Sequence, residues 1–226
     1  MPQIQFCLDL RKEKVSKKRN GGQCPRPVWV VPRYLFCAYN KRKGRAWSNI
    51  NITIENYDDI IDNQEIMIEG ECLHILLKER PYASDLRKVT GILKLISDLE
   101  RLGDHAEDIL EFALKLKNTE KHSNEIIGKM VKDVLHMVKD SIESYIKKDE
   151  ALAQSVINRD DKIDETYEKI INELIRMQEE KISSPSFCVY STLVVKYIER
   201  IADHAVNIAE WVIYIISGIH KENKMF

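Results

Sequence analysis

The residues of this chain best suited to chemistry are four acidic pairs at a spacing of four. Glu100/Asp104 and Glu199/Asp203 lie in two related stretches, LERLGDHAEDIL at 99–110 and IERIADHAVNIA at 198–209, which agree at six of twelve positions. Asp58/Asp62 and Asp160/Asp164 precede them in DDIID and DDKID. On a helix, residues four apart share one face one turn apart. Each pair therefore lines up two carboxylates, which repel by about 0.2–0.5 kcal/mol. Four such pairs in repeat register need compensation, from Arg101 and Arg200 or from a multivalent cation bridging carboxylates of facing helices. Oxygen-rich donors suit Mg, Mn or Fe and tolerate Zn. The expected metal ligands are Asp58, Asp62, Glu100, Asp104, Asp160, Asp164, Glu199 and Asp203.

A lone acidic pair means little, because 36 acidic residues in 226 produce roughly five or six such pairs by chance. Repetition carries the weight, since a core repeats apolar residues freely but has no packing reason to repeat Glu, Arg, Asp and His in one register. Asp108 and Glu111 extend the ridge in the first copy, Asn207 and Glu210 in the second. His105 and His204 stand about 100° from their neighbouring aspartates, which predicts a surface role or one beside the ligands. Arg101 and Arg200 are expected to orient carboxylates across a helix pair. Gly103 and Ala202 are explained by close helix packing.

These ridges need long helices to hold them. In Tyr190–Ile219, apolar or small residues recur at steps of three or four, one continuous helical seam. The same reading along the chain predicts helices at 53–79, 82–117, 122–147, 150–181 and 185–219, with Pro81 and Pro185 in first helical turns. Short connections make neighbours antiparallel. DDIID aligns with DDKID at an offset of 102 and the later motif at 99, so the second copy is three residues shorter at the inter-helix turn. The expected fold is all-α: two tandem antiparallel three-helix bundles from an internal duplication, divided as a basic N-terminal segment at 1–47, a first repeat at 48–119 and a second bundle at 120–221.

The charge balance is uneven. The total is −1, yet residues 1–47 carry twelve Lys/Arg against two Asp/Glu, leaving 23 against 34 in the rest. This head also holds four of six prolines, and its apolar run Val28–Tyr39 is broken by Pro32 and Arg33. No signal-peptide pattern and no apolar stretch near the ~20 residues of a membrane span is visible. Five cysteines without a CxxC argue against a disulfide framework or a thiolate zinc site. A soluble cytoplasmic protein is expected.

ERLGDHA at 100–106, ERIADHA at 199–205, RPYASDLR at 80–87 and the two DxxxD pairs resemble the PhoU family, over about residues 53–219. The resemblance implies two three-helix bundles whose E/DxxxD motifs bind multinuclear metal clusters. Asp58, Asp62, Glu100 and Asp104 would serve one cluster, and Asp160, Asp164, Glu199 and Asp203 the other. It further implies a non-enzymatic negative regulator that couples a phosphate ABC transporter ATPase to a membrane sensor histidine kinase. A homodimer, at most peripheral to the membrane and without direct nucleic-acid contact, completes that expectation. The family opens with a long amphipathic helix that residues 1–47 do not resemble. A mis-started reading frame and a divergent head both account for this, and either leaves the first bundle short of a helix with its apolar seam partly exposed.

Two other readings compete. A carboxylate-bridged di-metal oxidoreductase needs Glu-x-x-His on two helices, and only Glu71-x-x-His74 is present, its repeat positions being Glu173 and Arg176. The basic head with Trp29, Tyr34, Phe36 and Tyr39 could bind nucleic-acid phosphates non-specifically. No nucleophile–base set, Walker-type loop or GxGxxG appears.

Overall fold

A computed structural model describes residues 48–116 and 125–218, with side chains from residue 61 onward. Six helices follow in order among the described residues: α1 (Ser48–Lys78), α2 (Ala83–Leu116), α3 (Glu125–Lys147), α4 (Glu150–Ile157), α5 (Asp160–Glu179) and α6 (Pro185–Ser217). The basic head at 1–47 and the predicted break near 118–123 lie outside the described residues.

Local chemistry sets the ends of these helices. Ser184 caps α6 by accepting from the Phe187 amide at 3.3 Å, and Pro185 occupies the first turn, where its missing N–H costs nothing. At the other end Gly218 takes the left-handed conformation at φ 84° and returns its N–H to the Tyr214 carbonyl. Pro81, expected in a first helical turn, instead lies in the turn before α2. Arg80 and Ala83 on either side have positive φ, so the chain reverses there before helix begins.

The predicted helix at 150–181 is two helices. Asp149 caps α4 by accepting from Leu152 N–H at 2.9 Å. Asn158 and Arg159 stay in the right-handed region, but the ladder tightens: the Arg159 amide bonds to Val156, three residues back. Arg159 is held there by Asp140 of α3 at 2.8 Å. The break thus bends a nearly continuous rod, and α4 and α5 both stay packed on α3 and α6.

The principal core joins α2 to α3–α6. Leu102, Met130, Met137, Ile163, Ile170, Ile198, Ile201 and Ile208 are its largest fully buried side chains. A smaller cluster of Cys72, Val89, Ile92 and Ile96 joins α1 to α2, with Tyr145 and Ile215 packed on it. The most extensive helix contact is α2 on α6. Residue numbers rise along one as they fall along the other (Gly91 beside Ile215, Asp98 beside His204, Phe112 beside Tyr190), so the two run antiparallel. At Gly91 a Cβ would come within 2.4 Å of Ile215 Cγ1, so any larger residue here would have to displace Ile215. In the second unit α3 covers one side of the α5/α6 hairpin. Among the described residues nothing equivalent covers α1/α2, and Ile66, Leu73 and Leu77 of α1, with Leu86 of α2, are exposed.

Candidate metal centre

The first acid set converges where α1 faces α2. One carboxylate oxygen each of Asp62, Glu100 and Asp104 lies within 4.8 Å of the others. Asp62 Oδ1 is buried without a hydrogen-bond partner. Glu65, one turn further along α1, accepts from Ser97 of α2 at 3.0 Å. Partial desolvation, then Asp104 and Glu65, push the Glu100 carboxyl above its ordinary range. Asp104 is raised too, by desolvation first and against the opposing pull of Arg101. The side chain of Asp58 lies outside the described residues.

In the second hairpin Asp160 and Asp164 stand on α5 opposite Glu199 and Asp203 on α6. Asp160 is pushed up to about 6 by desolvation, then by Asp164 and Asp203, and its Oδ1 is buried without a partner. Asp164 and Asp203 are also raised, desolvation first and Glu199 next. These four acids thus feel one another, but no trio of them comes as close as the first set among the described residues. Glu199 is instead held by Lys196 at 2.6 Å.

The residues present fit a hard cation. They offer oxygen donors from two facing helices, one buried orphan oxygen in each hairpin, and carboxyls raised by desolvation first and by neighbouring carboxylates next.

The rest of the predicted ridge is used otherwise. Asn207 donates to Asp98 at 3.2 Å, and Glu111 pairs with Lys115 on its own helix. Arg101 lies 3.7 Å from Glu100 of its own helix, not across the pair, and Arg200 is exposed. The histidines also differ from expectation. His105 is only 6% exposed, and its ring lies 5.2 Å from that of His204, tilted by 38°, across the α2/α6 crossing. His204 Nδ1 meets Asp98 Oδ1 at 2.8 Å. The same 100° that turns each His away from the aspartate before it turns it toward the other repeat, while His105 Nδ1 stays 3.6 Å from Asp108. Burial first, then neighbouring His204, lower the His105 pKa against the opposing pull of Asp108.

Asp98 was missed from sequence. A signal existed: positions 98, 105 and 112 of α2 and 190, 197 and 204 of α6 are spaced by seven, and all carry polar or ring side chains. In the fold they form one ladder, Tyr190 and Tyr197 on Phe112, then Tyr197 and His204 on His105. The motif of the competing oxidoreductase reading does not line a bundle interior, since Glu71 and His74 are both exposed.

Fold and site together define an all-helical protein made of two acid-lined hairpins packed back to back across an internal repeat. A family model described as the PhoU domain matches residues 48–113 and 127–212, one stretch for each repeat. A relative from Clostridium acetobutylicum, a phosphate-specific transport system accessory protein PhoU homolog, is 38% identical over 173 residues, covering 75% of this chain and 78% of that one. A homolog of the same description from Pseudomonas putida is 35% identical over 175 residues, covering 76% of this chain and 68% of its own. The crystal structure of PhoU from Pseudomonas aeruginosa superposes with a TM-score of 0.77 at 31% identity, covering 85% of this chain and 93% of that one. The phosphate transport system regulatory protein PhoU from Streptococcus pneumoniae superposes with a TM-score of 0.75 at 27% identity, covering 87% and 92%. The chain belongs to the PhoU family.

Proposed function

We propose that this chain is a non-enzymatic regulator of phosphate uptake that keeps phosphate-starvation signalling off when phosphate is plentiful. It would do so by docking to a phosphate ABC transporter ATPase and a membrane sensor histidine kinase on the cytoplasmic side. The observation that carries the reading is the match of both repeats to relatives named as accessory and regulatory proteins of phosphate transport. No helix of the described residues is long and apolar enough to cross a membrane, so membrane partners would be met at the surface. Divalent or transition cations (Fe, Zn, Mn or Mg) would be held by Asp62, Glu100 and Asp104 with Asp58, and by Asp160, Asp164, Glu199 and Asp203. The cations would neutralise the facing carboxylates and tie each hairpin together, giving a rigid docking surface. Homodimerisation through the exposed face of α1 and α2 is compatible with this role.

The test is functional replacement in a bacterium lacking its own PhoU and carrying a phosphate-starvation reporter. Expression of this chain should silence the reporter in phosphate-rich medium. A reporter that stays on, with the protein folded and abundant, would overturn the proposal.

A further inference from the structure

We propose that the two acid clusters are inequivalent cation sites, with Lys196 a tethered ammonium filling part of the second, so that the first site loads before it. The inference rests on the cation-binding reading above and adds an order of loading to it.

Two repeat positions facing each other beside each acid set carry the difference. In the first hairpin they are Glu65 and Ser97, in the second Tyr167 and Lys196, at the same offsets of 102 and 99 that align the acids. The positions meet in both copies: Ser97 donates to Glu65 at 3.0 Å, and Lys196 Nζ lies 5.2 Å from the Tyr167 ring centroid. The exchange removes one negative charge and adds one positive charge at equivalent places. Lys196 also reaches Glu199, at 2.6 Å, drawing one of the four expected ligands of the second site onto itself.

The geometry of the oxygens follows the charges. Three carboxylates converge within 4.8 Å in the first set, and Arg101, whose side chain is largely exposed, stands no nearer Glu100 than 3.7 Å. In the second, Glu199 is engaged by Lys196. A cation entering the first site finds mutually repelling ligands whose charge the exposed Arg101, 3.7 Å from Glu100, partly offsets. One entering the second must displace the ammonium from Glu199 and then share the site with a like charge. The lysine can leave, because its side chain is 40% exposed and its stem can swing to solvent over Tyr167. Exposed Ser97 offers no such competitor.

The test is titration of the full chain, first stripped of metal, with Mn²⁺, following the free ion by its paramagnetic resonance signal. The parent should show a tighter and a weaker class. Asp104→Asn should abolish the tighter class. Lys196→Gln should strengthen the weaker class by about tenfold, and the reciprocal Ser97→Lys should weaken the tighter class by a similar factor, both effects shrinking as salt is raised. Circular dichroism confirms folding of each variant, and two reciprocal swaps at exposed positions keep the test alive if one misfolds. Loss of the tighter class in Asp203→Asn instead, or equal classes that neither swap moves, would overturn the inference and leave the cation reading standing. A parent that binds no Mn²⁺ would overturn both.

Discussion

Replacing Asp160 by Asn should stabilise the cation-free protein and destabilise the cation-loaded one. Asp160 opens α5 with an orphaned buried oxygen, and its carboxyl is pushed up to about 6 by desolvation and by Asp164 and Asp161 on its own helix and Asp203 and Glu199 on α6. A folded-state pKa above the unfolded one means that stability is fully present below pH ~4 and is lost as pH rises through ~6. A shift of about two units corresponds to roughly 3 kcal/mol at most, and solvent screening at this half-buried site cuts that to about 1–2 kcal/mol. The lost interaction of the anion with the helix N-terminus offsets about 0.3–1 kcal/mol, leaving a net gain near ~1 kcal/mol. For a chain of this size that raises Tm by about 2–4 °C. Thermal melts in chelator at pH 7.5 should show the increase, melts at pH 4 should show none, and excess Mn²⁺ should reverse the sign. A variant that is neutral or less stable in chelator at pH 7.5 would refute the reasoning.

Further outcomes follow from the packing. Asp98→Ala leaves His204 and Asn207 without their acceptor in the α2/α6 seam and should cost about 2–3 kcal/mol, a fall in Tm of roughly 4–12 °C. Gly91→Val drives a side chain into Ile215 and should cost about 1–3 kcal/mol by chemical denaturation, with the helical content unchanged. A chain beginning at Asn49 should remain helical but self-associate through Ile66, Leu73 and Leu77. Leu73→Glu with Leu77→Glu should then restore a smaller species by light scattering, while a monodisperse monomer without those changes would contradict the exposed-face argument.

The long helices were legible because their apolar seams are unbroken, and the doubled ExxxD motif placed the acids on facing helices before any coordinates. The helix ends were less so. Just past the ends of α3 and α5 stand Lys148 and Lys181, both with φ of 54°, where bonds from the Asp149 amide to Ser144 and from the Ile182 amide to Met177 close the helices. Glycine is the usual signal for such an end, and neither end has one. The bend at Asn158–Arg159 depends on a partner on another helix, Asp140, which no local pattern reveals. The same limit hid the role of His105. Its angle from Asp104 was readable, but that the opposite face would be the repeat seam, with the His204 ring against it, depends on how the two hairpins dock. The difference between the acid sets lay in plain sight at Ser97 and Lys196, and became meaningful only once each was seen against its partner on the facing helix.

The central claim is that the repeated acids hold cations, and elemental analysis addresses it most directly. Protein purified without chelator should carry bound divalent or transition metal, and the Asp104→Ala plus Asp203→Ala variant, still folded, should have lost it. Equal metal content in the two proteins would contradict the account.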